Sequence, residues 1–525
     1  MSDSDSATLA EFGYKQELHR TLGSFSSFAA GFSYISILTG MFQTSVYGFL
    51  FAGPAFASTW LMVLFGQFMV ALQFAELSAH YPLAGSVYQW SKQVAGKAWS
   101  WNTGWMYMCA QIVTVPAVAL AWQIVLPQVS TKFQLVGSPA NSLNIYSKDF
   151  AENAIILGMI MIVLTTIINI AGVSVMSRIN NVGVICELVG ASLLIILFMF
   201  NVNRTPMDVL TNTAGTEAAH GGTYFPWAWL VGAIMPLYVM YGFDTAGSLA
   251  EETDNPRKRA PRAVLQALGT AGVMGFLLIM FGTMAVSDKL FNGTAGANLS
   301  LTAITQDVFR SNIGKLFLID TAIAIFVCCL AIHAMSVRIL FAMGRDNNLP
   351  FGKQLASVSG KRRVPVTPAV FVGLLSIAVL AFNIYNRYAV QIIISLGIIF
   401  MYLAYLGVNI PLFRKRMNGW PDNAPTNQPG LFRLGGWGKV TNAIAILYGA
   451  AMVVNLAWPR SYFYGTLWYQ KWGPILGVAI VVIGGLALYY GYQKDKMGVL
   501  PEHQATGGPE LTAAMGEPPP IHGGP

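Results

Sequence analysis

Apolar residues along this chain gather into long runs rather than into the alternating or heptad patterns of a soluble fold. Between Arg20 and Glu76 no acidic or basic side chain occurs, a stretch that fits two membrane spans joined at Gly53-Pro54. A span needs about 20 apolar residues. On that criterion the pattern predicts roughly twelve transmembrane helices, at 25–50, 56–78, 100–126, 152–172, 181–202, 226–250, 264–286, 313–341, 366–385, 389–412, 440–459 and 472–492. Three longer polar connections, 127–151, 203–225 and 287–312, read as loops on the outer side.

Two of the predicted spans carry breakers near their middles. The first holds Leu38-Thr39-Gly40 within the run Gly31 to Gly40; the sixth holds Tyr241-Gly242-Phe243-Asp244. Irregular backbone is tolerated in a membrane only where it lines a cavity or lies buried in protein. Five spans separate the two positions, as a five-plus-five inverted repeat requires, with repeats at about 21–202 and 226–412 and extra helices at about 440–492. Asp244 adds an acid just past the middle of its span, where a charge costs at least ~2.5–3.5 kcal/mol. No Lys or Arg is predicted at that depth, so the expected partner is a substrate ammonium or a proton.

Composition agrees with the pattern: 54% of the 525 residues are hydrophobic and 10% charged, against about 25% charged in soluble domains. Most of the 31 Lys and Arg fall in alternate connections. Those connections become cytoplasmic if the N-terminus is inside, so both termini are expected there, in a cell membrane, plasma or inner. The net charge of +8 is then topology and anionic-lipid contact, and no nucleic-acid footprint is present. The first 20 residues form a short polar tail without the features of a removable leader, and residues 501–525, rich in Gly, Pro and Glu, are expected to be disordered. Asn203-Arg204-Thr205, Asn292-Gly293-Thr294 and Asn298-Leu299-Ser300 have the form of glycosylation acceptors. Cys109, Cys186, Cys328 and Cys329 all fall within predicted spans and read as packing residues. With no Cys/His metal spacing, neither a metal nor a cofactor is expected.

Four stretches resemble the amino acid–polyamine–organocation superfamily of permeases. They are the first-span segment ending in Leu38-Thr39-Gly40, Ala75-Glu-Leu-Ser-Ala-His-Tyr-Pro-Leu-Ala-Gly-Ser-Val-Tyr88, Ala250-Glu-Glu-Thr-Asp-Asn-Pro-Arg-Lys-Arg-Ala-Pro-Arg-Ala263 and Ser336-Val-Arg-Ile-Leu-Phe-Ala-Met-Gly-Arg-Asp-Asn-Asn-Leu-Pro350. Gly-Phe-Asp in the sixth span followed by Glu-Glu is most similar to the amino acid/choline branch, which includes GABA and choline permeases. Ala52-Gly53-Pro54 and Asn348 depart from that branch. The resemblance implies an all-α, LeuT-type membrane fold and secondary active transport of a small amine-bearing solute.

The expected site follows from the two breaks. A half-helix beginning after Gly40 offers unpaired amides and the positive end of its dipole to a substrate carboxylate, with Ser36 and Thr39 as hydroxyl donors. Carbonyls freed near Tyr241, Gly242 and Phe243, with Asp244, would meet the ammonium. Tyr238 stands at the family's position for an aromatic lid, suited to cation–π contact. Glu187, read as near the cytoplasmic third of span five, takes the place of a lysine that titrates in several superfamily members; it and Asp244 are the proton-coupling candidates. Asp320 and His333 on span eight read mainly as hydrogen-bonded structure. Span eight lacks the adjacent hydroxyl pair expected of a sodium site, which favours a proton gradient or exchange. Glu76, Glu251, Glu252, Arg257, Arg338 and Arg345 cluster at the cytoplasmic ends of spans two, six and eight, either as a gate latch or as solvated charges.

These readings converge on a symporter or exchanger for amino acids or related amines. A GABA-like zwitterion is favoured over choline, another quaternary amine or a polyamine, and a transporter-like nutrient sensor is the alternative of another class. A channel would need a continuous polar pore. An enzyme would need a nucleophile–base or metal constellation, and none is found.

Overall fold

The computed structural model describes residues 9–15, 22–144, 147–220, 222–291, 299–309, 312–359, 364–381 and 388–504. Among them every long element is helical, and extended pairing is limited to two isolated bridges, Tyr14 with Gln504 and Leu22 with Thr253. The protein is an all-α membrane protein. Ten helices are long and apolar enough to cross a bilayer, and shorter apolar helices stand at Tyr224–Val239 and Val366–Ala381, the places of predicted spans six and nine. The spans are numbered here as in the sequence.

The order of burial sets the layout. The buried share of the apolar window falls from 83% in span one to 11% in span twelve, so span one is the centre of the bundle and span twelve its periphery. Helices approach closely where small residues allow it. A side chain at Gly66 would strike the Tyr448 ring, one at Gly183 the Val327 side chain, and one at Gly275 the Trp60 ring. Several hydroxyls inside the bundle bond back to carbonyls one turn earlier, as Thr44 does to Gly40 and Thr114 to Ala110, so those donors need no other partner.

Span one does divide, but not where its glycine suggested. The break is at Ser36, between helices Ser24–Ile35 and Ile37–Ala52, and Ser36 itself takes φ 33° and ψ 98°. Gly40 lies one turn inside the second half-helix, where a Cβ would sit 2.6 Å from Val239 of span six. Its glycine serves close approach of the two spans rather than chain opening. The serine hydroxyl caps the new helix by accepting from the Thr39 amide at 3.4 Å, which offsets the cost of its left-handed backbone.

Span six opens at the expected residues. Its helix ends at Val239, a four-residue helix resumes at Thr245, and Gly242 between them takes φ 90°. Only glycine fits there, since a Cβ would lie 1.9 Å from the Tyr34 ring.

The two ends of the chain meet on one face. Lys15 donates its amide to the His503 carbonyl at 3.1 Å, Leu500 to the Arg345 carbonyl at 2.9 Å and Gly498 to the Asp346 carbonyl at 3.0 Å. Residues 501–504, expected as the start of a disordered tail, are instead folded, with the His503 carbonyl accepting the Lys15 amide and Gln504 bridged to Tyr14. Residues 505–525, with the acceptor sequences' Asn292 and Asn298, lie outside the described residues.

Candidate functional site

At the level of the two breaks the first-turn amides of Ile37–Ala52 already hold a carboxylate, that of Glu187. Glu187 sits in the middle of the span-five helix Val173–Met199, deeper than the terminal-side third expected, and is fully enclosed. Its Oε1 accepts from the Ser36 hydroxyl at 2.9 Å and from the Leu38 amide at 3.1 Å, and the Ile37 amide acts on the same group. Because the single Ser36 proton goes to Glu187, the 2.5 Å contact between Ser36 and Thr39 is a donation from Thr39. The Thr39 amide turns to the Ser36 hydroxyl and the Gly40 amide to the Ser36 carbonyl. With the Ser36 amide bonded to the Phe32 carbonyl, the four donors that this helix start would leave without partners, those of Ser36, Ile37, Leu38 and Thr39, are all engaged.

Across the break, Tyr34 donates to Gln111 at 2.7 Å and its ring lies edge-on to Tyr241 at 6.0 Å. Tyr238 packs edge-on to Tyr241 at 5.9 Å and donates to Gln43 at 3.1 Å, and Gln43 in turn donates to the Ala117 carbonyl of span three. Tyr241 shares a hydroxyl contact with Thr114 at 3.3 Å. Tyr238 and Tyr241 therefore stand between the half-helix Ile37–Ala52 and span three, edge to face. Phe243 instead faces Phe74 and Tyr405, away from Tyr241.

Asp244 has a set of partners that the sequence did not reveal. Tyr405 of span ten donates to Oδ1 at 2.5 Å, Ser86 donates to Oδ2 at 2.9 Å, and Tyr107 of span three donates to the same Oδ2. Tyr405 also accepts from the Gly242 amide at 3.0 Å, inside the span-six opening. Here the carboxylate is held by hydroxyls from three separate parts of the chain, together with its own backbone amide, where the sequence reading had expected an ammonium or a proton. Tyr107 and Tyr405 went unmarked because a tyrosine in an apolar span looks like packing until its hydroxyl has a destination.

The charged cluster resolves into separate ion pairs. Arg345 grips Glu251 at 3.0 and 3.1 Å, and Arg338 grips Glu252 at 2.8 and 2.9 Å, each pair almost wholly buried. Glu76 is held elsewhere, by Arg416 of span ten at 2.5 Å and by the Leu434 amide at 2.9 Å. Arg257 lies outside the cluster and reaches Glu11 on the surface. The solvated-charge alternative is thereby corrected for Glu76, Glu251, Glu252, Arg338 and Arg345, because neighbouring helices and the chain termini cover them. Arg416 had counted only toward topology, although it ends span ten as Glu76 ends span two.

The terminal segments cap this layer. The Arg345 guanidinium lies 4.0 Å from the Tyr14 ring centre, and the Tyr14 hydroxyl donates to Asp346 at 2.9 Å. Lys92 bonds both, at 2.7 Å to Asp346 and 2.8 Å to Tyr14. Burial pushes the Asp346 carboxyl up, yet the Lys92 and Arg345 charges outweigh it and hold it below the usual carboxylate range. Burial works against the Lys92 charge too, but Asp346 more than compensates and raises its pKa.

Of the other titratable candidates, His333 bonds Thr165 at 3.1 Å and the Ala369 carbonyl at 3.1 Å, joining spans four, eight and nine. Asp320 lies against Gly190 of span five, where any side chain would collide with it. Neither lines the break.

Ten long apolar helices, one of them broken at Ser36, and a shorter span six that opens at Gly242, with polar groups turned into the gap, define a multi-pass membrane protein of the broken-helix carrier class. Comparison with known proteins narrows the class. Residues 22–483 match the amino acid permease family, and the chain belongs to that family, whose members are transporters rather than enzymes. It is 28% identical to Amino-acid permease BAT1 of Arabidopsis thaliana, over 88% of this chain and 89% of that protein. It is 22% identical to Branched-chain amino acid permease BcaP of Bacillus subtilis, over 85% and 90% respectively. An amino-acid permease of Schizosaccharomyces pombe is 23% identical over 93% of this chain and 85% of its own length.

Proposed function

We propose that this chain moves amino acids across a cell membrane by alternating access around the breaks in spans one and six, with coupling to protons. The observation that carries the reading is the half-helix Ile37–Ala52, whose start is aimed at mid-depth and is already occupied by a carboxylate. A helix start binds anions through its free amides and dipole. A substrate carboxylate is assigned to this seat, formed by Ser36, Leu38, Thr39 and Gly40. The ammonium is assigned to the last carbonyls of the helix that ends at Val239 and to the opening at Tyr241 and Gly242, since a helix end leaves its carbonyls without intrahelical donors. Tyr238 and Tyr241 would close over the solute, and Asp244 would hold the open segment in shape through its three hydroxyls. Glu251–Arg345 and Glu252–Arg338 would latch the inner face, parting when the cavity opens inward.

Both termini are placed in the cytoplasm because the connections on their side carry most of the Lys and Arg. The two breaks are read as matching members of inverted repeats at 21–202 and 226–412, with 440–492 outside them. The relatives' names favour an amino acid as substrate, and a GABA-like zwitterion also offers the two charged ends the seat requires. Choline lacks the carboxylate and would rest on the tyrosine faces alone. Uptake into proteoliposomes of an amino acid panel, GABA, choline and a polyamine, under imposed proton or sodium gradients, tests the reading. Proton-driven accumulation of a zwitterion is expected. Accumulation of choline alone would replace it with the quaternary-amine reading, and failure to accumulate any solute would leave a sensor.

A further inference from the structure

Resting on the carboxylate seat just described, we propose that Glu187 occupies the place of the substrate's carboxylate, so that an amino acid binds only as a protonated Glu187 gives up the span-one amides. The seat has a fixed number of donors. Ser36 and Leu38 give theirs to Glu187, joined by the Ile37 amide, while the Thr39 and Gly40 amides are turned to Ser36. No first-turn donor remains for a second anion. The half-helix supplies about half a positive charge, enough to favour one carboxylate and not two side by side. Exchange of one for the other therefore requires the displaced group to lose its charge.

A proton resolves the conflict without any further partner. Added to a carboxylate oxygen of Glu187, it turns an acceptor of amide protons into a donor, and the amides are released to the incoming carboxylate. The proton stays on Glu187 while the solute is bound and leaves when the seat is refilled by Glu187 itself. One proton is thereby tied to one substrate carboxylate.

The surroundings of Glu187 leave it as the group that makes this exchange. On span eight the titratable groups facing it are Cys328, whose thiol donates to the Tyr34 carbonyl at 3.4 Å, and Asp320, one turn toward the far side beside Gly190. Tyr34 on span one is committed to Gln111, and Cys186 is its neighbour in sequence on span five. Residues 263–285 of span seven and 153–171 of span four, on the helices packed beside it, contain no titratable side chain. None of these is a cation, so among the described residues the positive partner of the carboxylate is the helix start.

The exchange predicts a difference between solutes with and without a carboxylate. Full-length protein in proteoliposomes is to be tested with leucine, alanine, arginine and GABA, each beside its carboxamide. For those amino acids that bind, affinity is expected to weaken about tenfold per pH unit above the titration of Glu187, a factor that corresponds to one linked proton. Carboxamide binding should not change with pH below about 7, where its own ammonium stays protonated. In Glu187→Gln the amino acid should bind independently of pH and still undergo counterflow, while proton-driven accumulation is lost. Calorimetry of the unaltered protein in buffers of different ionisation enthalpy gives a second readout, one proton taken up per amino acid and none per carboxamide, and serves if the variant does not fold. Equal proton uptake for both solute types would overturn the exchange, as would an unchanged pH slope in folded Glu187→Gln. If amino acids are carried in either case, only the exchange falls. If none of the panel binds, the transport reading falls with it.

Discussion

The buried acids of this protein are kept in two different ways. At the level of the breaks, Asp244 and Glu187 are held by hydroxyls and amides and have no guanidinium or ammonium beside them. At the face carrying the termini, Glu76, Glu251 and Glu252 each grip an arginine. Neutral donors stabilise a carboxylate without cancelling its charge, so one proton or one solute changes the net charge of the site. An ion pair is already neutral and responds only when its partners separate. The first arrangement suits chemistry that turns over in each cycle, the second a mechanical fastening.

That contrast is broken most severely at the fastening. Arg345→Ala leaves Glu251 buried without its counter-charge and should cost ~3–5 kcal/mol, seen as a large drop in the melting temperature of the purified protein. Adding Glu251→Ala should recover much of the loss. If the double variant melts no higher than Arg345→Ala alone, the pair is not the unit assumed here.

Asp244→Asn comes next, because it removes charge-assisted hydrogen bonds worth ~1.5–3 kcal/mol each while keeping the shape. Tyr405→Phe should act on the same network, since that hydroxyl joins Asp244 to the Gly242 amide. Melting of both single variants and the double should show strongly non-additive losses. Additive losses would mean that Asp244 does not organise the opening. Glu187→Gln should disturb stability less than either, while abolishing the pH dependence of amino acid binding.

The smallest effect is expected at Tyr14, where Tyr14→Phe removes a hydroxyl that bonds Asp346 and Lys92, a loss of ~1 kcal/mol. Limited proteolysis near the termini should register it. The pH response of this layer has a definite sign. Asp346, depressed in the fold, contributes stability above its unfolded value of about 3.9 and loses it as pH falls through the folded one. Lys92, raised in the fold, contributes below about 10.4 and loses it as pH rises through its folded value. Protection of the termini should therefore be flat from about pH 5 to about pH 9, the range in which binding at the breaks is expected to vary.

The apolar runs made the spans legible, because length and hydropathy alone set them. Gly242 was equally legible, since its φ and its contact with Tyr34 exclude every other residue. Ser36 was not, because a serine at positive φ leaves no mark in sequence, and nearby Gly40 drew attention to a position that turned out to serve packing against Val239. The partners of Asp244 and Glu187 were beyond reach for a different reason. They come from spans more than a hundred residues away, and a hydroxyl gives no hint of its direction until the helices are packed. Glu76, Glu251 and Glu252 were recognised as a group, yet the partner of Glu76 went unforeseen, because Arg416 is adjacent only through the contact of spans two and ten.

The join between Tyr14 and Gln504 also has a meaning in time. The cover over Arg345 and Asp346 joins Tyr14 to residues 498–504, so it cannot form until both stretches have been synthesised. Until residues 498–500 follow, the Arg345 and Asp346 carbonyls lack the amides that later bond them. Synthesis of that segment is then the event that covers this charged layer.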